Sequence, residues 1–120
     1  MQHYSNEEIK ALINNLRKEA IEQPWLEFKG SNKSPEMIGE YISSISNSAA
    51  LVKHPCGYLV WGIDDKTHEL INTKFDFSSY KIGNQDISIW LSTMLRPMPY
   101  INFRRVEIGG NAVGILKIDA

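Results

Sequence analysis

The sequence predicts an α/β (α+β) domain in which helices pack on a mixed sheet. Helical and strand patterns interleave along the chain in the order α-β-α-β-β-α-β-β, which is typical of this layered architecture. One strand pattern, residues 58–63, is an almost continuous apolar run, as expected for a strand covered on both faces. The chain has 120 residues, enough for one domain with its own core.

The first helix and the first strand have clear boundaries. Ser5 and Glu8 have the spacing of a capping box, so we predict that the helix begins there. Apolar residues then recur at helical spacing, at Ile9, Leu12, Ile13 and Leu16. Pro24 closes this helix, and residues 25–29 (WLEFK) follow as a strand rich in large apolar side chains.

The second helix is predicted to begin at Ser34-Pro35, because proline is preorganised for a first helical turn. Its buried stripe consists of Ile38, Tyr41, Ile42, Ile45 and Ala49. Several other positions between residues 43 and 48 are small and polar. This pattern favours tight packing on a sheet, and contact with a ligand is the alternative.

The second half of the chain supplies the remaining elements. After the apolar strand come Asp64 and Asp65, then a short returning strand at residues 68–73. Asn84 is the predicted cap of a third helix, which Pro97 ends. Two strands finish the chain, at about residues 101–108 and 112–118, joined by a turn at Gly109-Gly110-Asn111.

Composition restricts the class of protein. The formal net charge is −1. This argues against binding of nucleic acid through overall positive charge, but it allows a local basic patch. No apolar run approaches the ~20 residues of a membrane helix, and the N-terminus lacks a secretory pattern. Cys56 is the only cysteine, which is typical of a reducing cytoplasm. We expect residues 1–120 to form a single domain, the N-terminal part of a longer protein.

Five charged residues are candidates for chemistry: Glu22, Glu27, Lys29, Asp64 and Asp65. Glu27 and Lys29 are two apart on a strand and should project from one face. If the two strands are neighbours, the carboxylates could converge and bind Mg²⁺ or Mn²⁺, beside a lysine that contacts a phosphate. The alternatives are a surface ion pair for Glu27 and Lys29 and a turn for the two aspartates.

Basic residues near the end of the chain are a second candidate feature. Arg104 and Arg105 are adjacent on a predicted strand, and Arg96 and Lys117 lie on nearby elements. These side chains could form a basic patch that contacts phosphates. They could equally be exposed charges that keep a sheet edge soluble.

The strand LEFK and the stretch GYLVWGIDD, residues 57–65, resemble segments of the Schlafen AlbA-type domain at roughly that family's separation. The resemblance covers residues 22–118. It implies a candidate DNA-binding domain of the kind found in bacterial transcriptional regulators and helicase-like proteins. Candidate phosphate contacts are then Lys29, Lys53, Arg104 and Arg105.

The RNA-cleaving branch of the family implies a second role. Its metal site would fall on Glu22, Glu27 and Asp64, with Asp65 as the neighbouring possibility. The family's second helix usually ends in A-x-A-N followed closely by G-G, whereas this chain has Ser44-Ile45-Ser46-Asn47 and only Gly57 further on.

Three functions therefore follow from the sequence: a nucleic-acid-binding domain, a metal-dependent endoribonuclease, and an interaction module whose sheet edge holds a second copy or further domains of the same chain. The sequence has no G-x-x-x-x-G-K-[ST] motif for binding ATP phosphates.

Overall fold

The computed structural model describes residues 1–18, 23–31 and 34–120. Its helices are α1 (Asn6–Arg17), α2 (Pro35–Leu51) and α3 (Ile87–Met94). Its strands are β1 (Leu26–Lys29), β2 (Cys56–Trp61), β3 (Lys81–Ile82), β4 (Gln85–Asp86), β5 (Ile101–Ile108) and β6 (Asn111–Asp119). The predicted class, a mixed sheet with helices packed on it, is confirmed.

Over the described residues, the main sheet has four strands in the order β1-β2-β6-β5. β1 and β2 are parallel, with Glu27 beside Leu59 and Lys29 beside Trp61. β6 runs antiparallel to both β2 and β5. Because β1 and β2 run the same way, both end at one end of the sheet, which we call the carboxyl end. β2 begins, and β6 finishes, at the opposite end, which we call the amino end.

Each face of the sheet is covered by helices. On one face, α1 packs Ile9 and Ile13 against alternate residues of all four strands: Leu26, Phe28, Val60, Val106, Val113 and Ile115. On the other face, α2 and α3 pack on Leu59, Trp61, Leu116 and Ile118. The strand β2 contributes to both cores, which explains its nearly continuous apolar sequence. No helix among the described residues is long and apolar enough to cross a membrane.

Local signals set several boundaries as predicted. Ser5 caps α1, and Ser5 and Glu8 exchange both hydrogen bonds of the capping box. Ser34 caps α2, with Pro35 in its first turn. The β5–β6 hairpin turns at Gly109 and Gly110, whose φ angles of 57° and 81° lie in the left-handed region that a two-residue turn requires.

Two local predictions are wrong. Residues 68–73 form no regular strand, only an isolated bridge between Ile63 and Leu70. His68 and Asn72 have φ angles of 61° and 70°, and left-handed residues interrupt an extended strand. Asn84 does not cap α3, because it lies with Gly83 in the turn between β3 and β4. The N-cap position is Asp86, whose side chain makes no capping hydrogen bond.

Candidate nucleic-acid interface

Glu27 and Lys29 lie on one face of β1, as predicted, and this face is the one covered by α2. The Lys29 ammonium is 3.4 Å from a Glu27 carboxylate oxygen, and each side chain is 25% exposed. The same ammonium lies 4.8 Å from the centre of the Tyr41 ring. A hydrogen bond with Tyr41, and secondarily the Glu27 charge, raises the pKa of Lys29. The lysine therefore remains charged and is paired within the protein.

Asp64 organises the turn that follows β2. One of its carboxylate oxygens accepts hydrogen bonds from the backbone N–H groups of Lys66, at 2.9 Å, and Thr67, at 2.8 Å. These bonds, that from Thr67 first, lower the pKa of Asp64 because they stabilise the ionised form. Asp65 is exposed in the same turn. The turn interpretation of the two aspartates thus accounts for the contacts of Asp64.

The described carboxylates do not by themselves fit a metal ion. Within residues 1–18, 23–31 and 34–120, no three His, Cys, Asp or Glu side chains lie close enough together to hold one. Glu22, the remaining member of the predicted set, lies outside the described residues. The assignment of Glu22, Glu27, Asp64 and Asp65 to a metal site therefore stays a prediction.

Arg104 binds the N-terminal segment of the protein. It lies on the α1 face of β5, opposite Ile115, and its guanidinium donates to the backbone oxygen of Tyr4 at 2.6 Å. It also donates to the oxygen of Met1 at 3.3 Å and to Asn6 Oδ1 at 2.8 Å. These contacts hold the start of the chain against the sheet, so Arg104 is largely occupied within the fold.

Arg105 points to the other face of the sheet, because successive side chains on a strand alternate. Its guanidinium donates to the Thr73 backbone oxygen at 3.3 Å and lies 3.9 Å from an Asp76 carboxylate oxygen. The two arginines therefore do not share a surface. Lys29 is also remote from them, since β1 and β5 form opposite edges of the sheet.

Lys53 differs from the other predicted phosphate contacts. It follows the C-cap of α2, has a φ angle of 57° and is exposed at the amino end of the sheet. Its ammonium forms no hydrogen bond or ion pair with any described residue. Lys53 is therefore available to a partner.

A groove of about 500 Å³ lies between α2 and residues 95–99. Ser43 and Asn47 of α2 line one side, and Arg96 lines the other. Ala120, which also lines the groove, donates a backbone hydrogen bond to the Pro55 oxygen at 3.2 Å. This bond joins the groove to the segment that carries Lys53. The exposed Arg96 makes no hydrogen bond or ion pair with the part of the chain that is described. Sequence reasoning noted Arg96 and the polar positions of α2 but did not bring them together.

Part of the small polar stripe on α2 packs as predicted, and part does not. Ser46 donates from its hydroxyl to the backbone oxygen of Asp119 at 2.8 Å, which joins α2 to the end of β6. Ser43 and Asn47 instead remain exposed in the groove. The stripe therefore serves helix packing at one position and lines an open surface at others.

The fold and these surfaces define a small α+β domain with a mixed sheet between helical layers and a polar groove, lined by Arg96, at the amino end. A model of the family described as "Schlafen, AlbA_2" matches residues 22–120. The chain belongs to this family, which confirms the resemblance read from its strands.

A solved structure shares the fold, and a second has a lower similarity. The N-terminal domain of an ATP-dependent DNA helicase RecG-related protein from Nitrosomonas europaea is 15% identical, with a TM-score of 0.55 over 91% of this chain and 71% of that one. The DIP2311 protein from Corynebacterium diphtheriae is 18% identical, with a TM-score of 0.47 over 95% of this chain and 26% of that one. A search of curated proteins gave no match.

Proposed function

We propose that this domain binds nucleic acid through the surface formed by Lys53, Arg96, Ser43 and Asn47, which we call the amino-end surface. Membership of the Schlafen AlbA_2 family, whose resemblance implies DNA binding, supports the general role. The observation that carries the location is the groove lined by Arg96, Ser43 and Asn47, together with the Ala120–Pro55 hydrogen bond that joins this groove to the segment carrying Lys53. Lys53 and Arg96 contact phosphates, and Ser43 and Asn47 hydrogen-bond to the same strand.

The charges of this domain are consistent with a nucleic-acid-binding protein that contacts few phosphates. The net charge of −1 provides no bulk attraction, so affinity depends on local cations. Arg104 is bonded to the N-terminal segment, Arg105 lies beside the acidic Asp76, and Lys29 is paired with Glu27. With two phosphates neutralised, the logarithm of the duplex binding constant should fall with the logarithm of salt concentration at a slope of about −1.8.

Fluorescence anisotropy with labelled duplex DNA across a salt series tests this proposal. Lys53→Ala and Arg96→Ala should each weaken binding and bring the salt slope about 0.9 closer to zero. Lys74→Ala is the matched control, because Lys74 is exposed on the loop before residue 75, away from the groove. Affinity independent of salt, or equal losses in all three variants, would contradict the assignment of this surface.

Metal-dependent cleavage of structured RNA is a separate proposal. It is favoured by the half-buried Glu27–Lys29 pair at the edge strand, and it also requires Glu22 and Asp64. Transfer RNA incubated with the protein and Mn²⁺ should be cut by the wild type and not by Glu27→Gln. Equal cleavage by both proteins would remove this function, and its failure would leave the binding proposal untouched.

A third proposed function is an interaction surface at the sheet edge, formed by the outer side of β5.

A further inference from the structure

The outer edge of β5 presents a row of backbone groups directed away from the sheet. On β6, the N–H of Ala112 donates to Asn72 Oδ1 at 2.6 Å, and the Ala112 backbone oxygen accepts from the Thr73 N–H at 3.1 Å. Ala112 therefore directs its backbone away from β5. Its neighbour Glu107 must direct its own N–H and C=O away from β6.

The alternation of the antiparallel ladder extends this assignment along the strand. Ile101, Phe103, Arg105 and Glu107 all turn their N–H and C=O groups outward. Within the described residues, no backbone or side-chain hydrogen bond reaches these eight groups. An edge strand of eight residues is long, and such an edge is a template for pairing with another strand.

The side chains along this edge indicate which strand would fit. Arg105 and Glu107 project from the same face, and both are exposed. A strand that pairs here should place an acidic residue opposite Arg105 and a basic residue opposite Glu107, because opposite charges stabilise directly facing pairs.

We propose that the partner is the β5 strand of a second copy of this chain, paired antiparallel with Val106 on the two-fold axis. This register places Arg105 of each copy opposite Glu107 of the other, so the interface contains two equivalent ion pairs. The outward backbone groups of these residues then bond to each other, and the two sheets join into one continuous sheet.

The charges of the facing side chains favour this register over those centred one or two residues earlier on β5. Centring the pair on Arg105 would place two copies of that arginine face to face. Centring it on Arg104 would do the same for Arg104. Like charges directly opposite each other destabilise a strand pair. Of these three registers, only the one centred on Val106 opposes unlike charges.

The contacts of Arg105 within one copy are compatible with this pairing. Its bond to the Thr73 oxygen is 3.3 Å long, its distance to Asp76 is 3.9 Å, and its side chain is 39% exposed. These contacts orient the guanidinium and leave part of it accessible. The inference is independent of nucleic-acid binding, since the amino-end surface lies elsewhere.

Sedimentation velocity from micromolar to millimolar concentration tests the proposal on the full chain. We expect a concentration-dependent dimer. Arg105→Glu and Glu107→Arg should each raise the dimer dissociation constant about tenfold, since each creates two like-charge pairs. The double variant, which restores both opposite-charge pairs, should recover the wild-type constant.

Glu107→Pro provides a second, backbone-level test. It removes an outward N–H that the monomer does not use, and proline is tolerated on edge strands. It should abolish the dimer, with the urea unfolding midpoint confirming that the monomer remains folded. A wild type that stays monomeric throughout, a dimer that survives Glu107→Pro, or a double variant no better than the single ones would overturn the proposal.

Discussion

Gly57, near the start of β2, lies in close contact with α2 because it has no side chain. Replacing Gly57 by alanine should destabilise the fold strongly. A Cβ at this position would lie 2.3 Å from the Ile45 methyl carbon Cγ2 and 2.5 Å from the Trp25 backbone oxygen. Carbon atoms prefer about 3.5–4.0 Å, so α2 or β1 would have to move by more than 1 Å. The same Trp25 oxygen accepts the Tyr58 N–H at 2.8 Å, a bond joining β1 to β2.

The expected cost follows from these contacts. Overpacking of a core costs about 1–3 kcal/mol, and weakening the bond to Tyr58 adds about 1 kcal/mol. We therefore expect Gly57→Ala to lower the free energy of unfolding by about 2–4 kcal/mol. For a domain of this size, the corresponding fall in Tm is roughly 6–20 °C.

Urea unfolding followed by tryptophan fluorescence measures this change. Gly39→Ala is the matched control, because it places a Cβ in α2 at 3.4 Å from the flexible end of Leu91. That variant should stay within about 1 kcal/mol of the wild type, since the gain in helix propensity offsets a tight contact. If Gly57→Ala remained within about 0.5 kcal/mol of the wild type, a range typical of neutral surface changes, the packing argument would be refuted.

Three further outcomes are expected. Arg104→Ala should lower the free energy of unfolding by about 1–2 kcal/mol, through its lost bonds to the N-terminal segment, and leave DNA affinity unchanged in anisotropy. Tyr41→Phe should lower the pKa of Lys29, measured by NMR titration of its side-chain carbon, because the hydroxyl is the largest cause of the raised value. Because its pKa is lowered in the folded state, ionised Asp64 stabilises the fold at pH values above the ordinary carboxyl pKa. This stabilisation is lost as the pH falls through the folded-state pKa. Asp64→Ala should therefore lose less stability on acidification than the wild type in urea titrations at successive pH values.

The sequence predicts the elements of this fold well wherever local chemistry decides them. The capping box at Ser5, the proline after Ser34 and the glycine turn at Gly109 each define a boundary through contacts within a few residues. Residues 68–73 are mispredicted because they come directly after a turn held by Asp64, and His68 and Asn72 adopt left-handed φ angles that interrupt a strand. That turn depends on φ angles that residue type alone does not reveal.

The candidate interface was less predictable because it depends on strand order. The pattern correctly placed Glu27 and Lys29 on one face, since alternation along a single strand is a local property. The same alternation separates Arg104 from Arg105, although adjacency in the sequence had suggested one patch. Arg96 meets α2 because α3, which ends two residues before it, packs in the same core as α2, a non-local contact with no signature in either segment.

Among the candidate residues, those at the two ends of the sheet differ in how their charges are satisfied, and this difference bears on function. At the carboxyl end, Asp64 receives two backbone hydrogen bonds, and on the neighbouring strand Lys29 pairs with Glu27. At the amino end, Lys53 and Arg96 have no such partners among the described residues. A charge neutralised within the fold must give up its partner before it binds a phosphate, which costs free energy that an unpaired cation does not spend. Of these candidates, Lys53 and Arg96 should therefore be the better phosphate ligands, even though the residues that most resemble a catalytic site lie on β1 and in the turn after β2.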